Sequence, residues 1–237
     1  MNEPMKTTFS QSIYAQSSVR KEILGCLRTL DDGRKFNYAR AGGIALTAGA
    51  PVEGVDAVGH HWNRAVVGTA IAVGSTTVLV TLGATLVTEN QYQFGFLQIN
   101  AGAGIGRSYR IASHPAAALS TNVLIQLDEP IGVALAAATS KASLIYNDFQ
   151  DVVVSTAATK TPAGVPPIAV TAEYYFWSQT FGPAGAIVDN AVAVGTELSG
   201  GAGILAARTA WTDNSYGFCR GTAGVTAELK PVMLTMG

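Results

Sequence analysis

Gly102-Ala103-Gly104-Ile105-Gly106 is the stretch of this sequence that comes nearest to a phosphate cradle. Closely spaced glycines between a strand and a helix let backbone N–H groups approach a pyrophosphate. The spacing fails here, because Arg107 stands where the third glycine of a dinucleotide fingerprint belongs. Ser108 to Ala112 reads as a strand instead of the required helix, and no Lys-Ser/Thr pair follows to make a P-loop. The segment is expected to be a hairpin turn, and no bound cofactor is expected.

His60-His61, with Glu53 and Asp56 nearby, are the residues closest to a metal set. Adjacent residues in an extended segment point to opposite faces, which is poor geometry for one ion. The expectation is no metal site, with the histidines packed or facing solvent. Ser113-His114-Pro115 carries the third histidine, but no strained Gly-x-Ser-x-Gly elbow accompanies it. Asp128/Glu129 and Asp148/Asp151 are the carboxylate pairs available for glycoside chemistry, and they sit where turn ends are expected. No catalytic residue is assigned, and the chain is expected not to be an enzyme.

The elements that must carry these residues are short. With 26 Gly, 13% charged and 48% apolar residues in 237, the chain has half the charge of an ordinary soluble domain. A chain without a charged surface covers itself with copies of itself or with another protein. The longest apolar runs, Ile131–Ala138 and Val165–Val170, are too short to span a bilayer as helices. Met1 to Tyr14 has no cationic stretch leading into an apolar core, so no secretory signal is expected. The net charge of -1 leaves no basic footprint for nucleic acid. Neither nucleic acid nor membrane is an expected partner. Cys26 and Cys219 are expected to be buried free thiols.

Strand-like runs recur every 8–12 residues from residue 42 onward, each stopped by Gly, Pro or Asn. They run from Ile44–Leu46, Val66–Val73 and Thr76–Leu82 to Val232–Thr235, and the fold class they indicate is all-β, a sandwich or barrel with little helix. Residues 1–41 read as an extended N-terminal arm with one short helix over Val19–Leu30. Asp31-Asp32-Gly33-Arg34 reads as a tight turn into a strand carrying Phe36 and Tyr38 on one face. A β domain over 42–155, a Pro/Gly-rich loop or linker over 156–167 and a C-terminal β region over 168–237, packed into the same domain or apart from it, complete the reading. Thr69–Ser75 echoes Asn190–Thr196, as an old duplication or as two strands of one composition. Tyr174-Tyr175-Phe176-Trp177 is aromatic on both faces of a strand that Gly182-Pro183 should end. One face packs the core, and the other meets a second sheet or a neighbouring subunit.

Two segments carry a resemblance. Asp32-Gly33-Arg34-Lys35-Phe36-Asn37-Tyr38-Ala39-Arg40-Ala41-Gly42, followed by Ala45-Leu46-Thr47-Ala48-Gly49, resembles the opening of a group of tailed-phage virion proteins. Tyr175-Phe176-Trp177-Ser178-Gln179-Thr180-Phe181-Gly182-Pro183-Ala184 resembles a second hallmark of the group, and the Ala/Gly-rich texture is similar to capsid decoration (cement) proteins. The resemblance is close over these segments and loose over most of the remainder. It implies a non-enzymatic protein, made in the bacterial cytoplasm, that binds the outer capsid surface of the virion. Its partners would be the major capsid protein and itself, as a homotrimer. A tail, neck or head-fibre component and a carbohydrate-binding module are the alternatives. The residues expected at interfaces are Ile13, Tyr14, Arg20, Arg28, Arg34, Phe36, Tyr38, Arg40, Tyr175, Trp177 and Phe181.

Overall fold

The computed structural model describes residues 8–222 and 228–236; residues 1–7 of the expected arm lie outside these. The chain forms two compact units, Met1–Val55 with Asp148–Gly237, and an inserted unit, Asp56–Asn147. The first unit begins with β1 (Leu27–Thr29), β2 (Lys35–Arg40) and β3 (Val52–Glu53). The inserted unit holds β4 (Arg64–Ala65), β5 (Thr77–Thr81), β6 (Phe96–Ala101), β7 (Ser108–Ser113), β8 (Asn122–Leu127) and β9 (Lys141–Ile145). The chain then returns through β10 (Val153–Val154), β11 (Pro162–Gly164), β12 (Tyr175–Ala186), β13 (Glu197–Gly201), β14 (Ile204–Ala207), β15 (Ser215–Cys219) and β16 (Lys230–Thr235). The fold is all-β.

The first unit is a seven-stranded sheet in the order β1-β2-β12-β16-β15-β13-β14, with a small sheet β10-β3-β11. The inserted unit is one antiparallel sheet, β4-β9-β6-β7-β8-β5. A Val66–Val80 bridge links the end of β4 to β5, so the sheet nearly closes into a barrel. Its strands alternate in and out with period two. Val78, Val80, Leu97, Ile99, Ile111, Val123, Ile125 and Leu144 point inward and are buried. Gly102–Gly106 turns β6 into β7, as the sequence predicts.

Three paired turns recur outside the regular strands. Leu46 bridges Val170, Ile71 bridges Leu135, and Val87 bridges Ala117, each with two reciprocal N–H to C=O bonds of 2.8–3.0 Å. The third residue after each bridging residue is left-handed: Gly49, Glu173, Gly74, Ala138, Asn90 and Ser120. Its N–H reaches back across the pair, as in Gly49 to Pro166 O (2.8 Å) and Glu173 to Gly42 O (3.0 Å). The two echoing segments, Thr69–Ser75 and Asn190–Thr196, share a left-handed glycine, Gly74 (φ 90°) and Gly195 (φ 82°), but only the first forms a paired turn, since Ile71 bridges Leu135.

Several expectations need correction. The chain divides at Val55/Asp56 and Asn147/Asp148, not within 156–167. Pro162 opens β11, where a missing N–H is tolerated, so the Pro/Gly-rich stretch pairs with β3 instead of linking domains. No helix forms over Val19–Leu30; Gly25 is left-handed (φ 80°) and breaks the run before β1. Gly182-Pro183 does not end the aromatic strand. Met236 N–H donates to Thr180 O at 3.1 Å, and β12 faces β16 as Gly182↔Leu234 and Pro183↔Met233. Bonded positions alternate in an antiparallel pair, so the Pro183 nitrogen points to the side that β2 has already left at Phe181. Proline there removes no ladder bond.

Candidate functional site

β12 carries the aromatic run, and both of its faces are covered within the first unit. Phe176 packs with Val52, Val152 and Val170, and Tyr174 flanks them. On the other face, Trp177 meets Tyr38 edge-on at 5.0 Å and Phe9 at 5.1 Å, while Tyr38 stacks on Tyr175 at 6.0 Å. The N-terminal segment, not a neighbouring subunit, supplies this cover. Gln11 is its hub, with five hydrogen bonds. Its Nε2 donates to Ala15 O and Tyr175 O, its Oε1 accepts the Tyr38 hydroxyl at 2.8 Å, and its carbonyl accepts Trp177 Nε1 at 3.1 Å and Arg28 Nη1 at 2.8 Å. Burial pushes the Tyr38 hydroxyl up to about 12, so it stays a neutral donor. Ile13, Phe36, Tyr38 and Trp177 are therefore core residues of this unit and not free anchors.

The cations expected to reach a partner are mostly engaged inside the same unit. Arg28 lies over the Phe9 and Trp177 rings, and Lys35 Nζ lies 4.8 Å from the Phe181 ring centre. Arg40 pairs with Asp151 and Glu173. Burial, the largest influence, holds the Asp151 carboxyl above its usual range even beside Arg40. Arg20 is exposed, and Tyr175 and Phe181 are half-buried.

Two of the expected residues meet in a pocket. Tyr14 and Arg34 line a cavity of about 340 Å³ with Pro167, Pro183, Gly185 and Leu229. Arg34 is held there by Asp32 (2.8 Å) and by the Tyr14 hydroxyl (3.3 Å). The backbone N–H of Arg34 on Asp32 keeps that carboxyl below its usual range, so the arginine keeps its charged partner. The turn that carries both residues exists because Gly33 takes φ 83°, which permits the tight return into β2.

Sequence reasoning missed Trp211. It stands 89% exposed in the turn between β14 and β15. Arg208 fixes that turn: Nη1 pairs with both Glu197 oxygens (3.0 and 3.1 Å), Nη2 donates to Trp211 O (2.9 Å) and Nε to Asp213 O (2.9 Å). Asp213 Oδ2 accepts the Ala210 N–H at 2.9 Å and the Thr209 N–H at 3.2 Å. The signal was present in Thr209-Ala210-Trp211-Thr212-Asp213-Asn214, a lone indole whose neighbours are small or polar, with no large apolar residue beside it to bury it.

The histidines of the inserted unit are structural. His60 is exposed, its Nδ1 2.8 Å from Thr85 Oγ1, while His61 and His114 are buried around Tyr92. Burial holds both buried rings below the usual imidazole range. No cluster of three His, Cys, Asp or Glu able to hold a metal occurs among the described residues. Cys26 is half-buried and Cys219 buried, both as free thiols. No helix among the described residues is long and apolar enough to cross a membrane. A scan against family models finds no match to this chain, and comparisons with curated proteins and with solved structures find none either.

Proposed function

We propose that this chain is a non-enzymatic structural component of a tailed-phage virion, which binds the outer surface of the capsid and stabilises the head. The observation that carries the reading is how the surface is made. Sixteen large apolar side chains are exposed among the described residues, from Tyr14 and Ile44 to Leu124 and Trp211, on a chain with only 13% charged residues. A soluble monomer with that surface invites association. Repeated copies on a shell turn many weak apolar contacts into a firm one through multivalency. The two segments that resemble virion proteins support the same reading. They form β2 with its flanking turns and β12, two strands paired side by side in the seven-stranded sheet.

The carbohydrate-binding alternative gains an exposed Trp211 beside Asp213, but the polar groups around that ring are turned inward. Arg208, Asp213 and Asn214 are spent on the turn itself, with Asn214 Nδ2 donating to Thr159 O and Lys160 O at 3.0 Å. A sugar platform needs such groups aimed at the ligand. Counting copies of the chain per particle tests the virion reading; hundreds per head fit a decoration role, and a few to dozens fit the tail, neck or head-fibre alternative.

A further inference from the structure

We propose that Trp211 of one copy seats in the pocket beside Arg34 of a second copy, so that the chain associates head to tail. The inference deepens the assembly reading, on which it rests for its biological setting but not for its test.

Trp211 has the properties of a preformed anchor. Its indole is 89% exposed while its backbone is held by Arg208 and Asp213. The backbone that carries it is already ordered, so less freedom is lost on binding, which is where preorganised anchors gain affinity. Tryptophan is the residue most enriched among interface hot spots. An exposed indole offers about 150–250 Å² for burial.

The pocket has the matching chemistry. At about 340 Å³, it lies at the small end of the roughly 300–1,000 Å³ typical of ligand clefts, which suits a single large side chain. Pro167, Pro183 and Leu229 give apolar walls, and Arg34 adds a guanidinium to the lining. A guanidinium over an indole face adds a cation–π contact. Asp32 holds that guanidinium in place.

In its own chain Trp211 stands 89% exposed, so the pocket is open to the indole of a second copy. The pocket is built on β12 and the β1–β2 turn, while Trp211 follows β14, the far edge strand of the same sheet. β14 returns beside the residues that follow β12, where Leu205 bridges Val188, yet Trp211 is not among the residues that line the pocket of its own chain. An exposed apolar group that complements a pocket elsewhere on the same molecule makes a heterologous contact, which closes into a ring when the rotation allows. One anchor gives a weak pair, and ring closure or a shared support multiplies it.

Sedimentation velocity of the purified full chain over a wide concentration range tests this. Wild type is expected to gain mass with concentration. Trp211→Ala removes the anchor, and Gly185→Phe fills the pocket from an exposed position on an extended strand; each alone is expected to stay monomeric. Mixed together they are expected to form dimers and stop there, because one still has a pocket and the other still has the indole. Arg34→Ala is a second pocket variant, expected to weaken association about threefold to thirtyfold by loss of the cation–π contact. Far-ultraviolet circular dichroism and melting establish that each variant is folded. A wild type that stays monomeric, a Trp211→Ala variant that associates like wild type, or a mixture that fails to pair would each overturn the proposal. Failure of the virion reading would show instead in the particle count, and would leave a positive sedimentation result standing.

Discussion

Tyr92 holds both buried histidines of the inserted unit: its hydroxyl bonds His61 Nδ1 at 2.6 Å, and its backbone N–H donates to His114 Nε2 at 2.9 Å. The remaining ring nitrogens face carbonyls, His61 Nε2 on Thr85 O and His114 Nδ1 on Pro115 O. A carbonyl only accepts, so those nitrogens carry the protons and the other two accept from Tyr92. Both rings are thus neutral with every nitrogen used.

Acid should therefore loosen the barrel. Burial depresses both imidazoles below their ordinary 6.5. A depressed folded value means that the unfolded chain binds protons first, so stability is full above about pH 6.5 and is lost as pH falls below it. His60 and Arg64 push in the same direction as burial on His61, and Glu89 opposes it at His114. Thermal melts from pH 8 to pH 5 are expected to show a midpoint that is flat to about 6.5 and then falls. A midpoint unchanged to pH 5 contradicts the assignment.

Removing the hydroxyl should act without acid. Tyr92→Phe leaves His61 Nδ1 buried with no donor, which costs about 1–3 kcal/mol. Urea unfolding at pH 8 is expected to show that loss; a midpoint equal to wild type would contradict it.

The N-terminal segment should prove integral to the first unit. Gln11→Ala strips the Tyr38 hydroxyl of its acceptor and removes the amide donor from Ala15 O and Tyr175 O. A loss of about 1–3 kcal/mol follows for one unsatisfied buried group. Trp177, now fully buried, is expected to shift its emission to the red when the segment is deleted through Gln16. An unchanged spectrum would mean that the segment does not cover it.

Much of the fold was readable because turns and strands announce themselves locally. Thr77–Thr81 and Lys230–Thr235 match the runs predicted over Thr76–Leu82 and Val232–Thr235, since β-branched alternation and flanking turn residues are local signals. The inserted unit was not readable: its boundaries, Val55/Asp56 and Asn147/Asp148, lie far apart in sequence, and only the long-range pairing of β3 with β10 and β11 reveals them. The cover over Trp177 was missed for the same reason. Gln11 and Trp177 are 166 residues apart, and a polar Gln in a polar stretch carries no sign that it is a buried hub. Tyr14 and Arg34 were legible as candidates, but the pocket they share depends on the long course of β12, which Gly182-Pro183 disguised.

Glycines divide into two kinds that a paired experiment separates. At Gly217 (φ 138°) a Cβ would fall on Met233 O, inside contact distance, where β15 meets β16. Gly217→Ala is expected to cost about 2–4 kcal/mol through strain plus displaced backbone. Gly74 (φ 90°) faces open space, so Gly74→Ala is expected to cost only about 1–2 kcal/mol. Chemical unfolding of the two variants checks the order, and a larger loss at Gly74 would contradict it.

If this chain coats a phage head, as proposed, it must be present there in many copies. The most direct measurement is its copy number relative to the major capsid protein in purified virions, by quantitative mass spectrometry. The account predicts a ratio near one. A ratio of a few per cent would move the chain to the tail or a vertex, and absence from particles would contradict the virion assignment altogether.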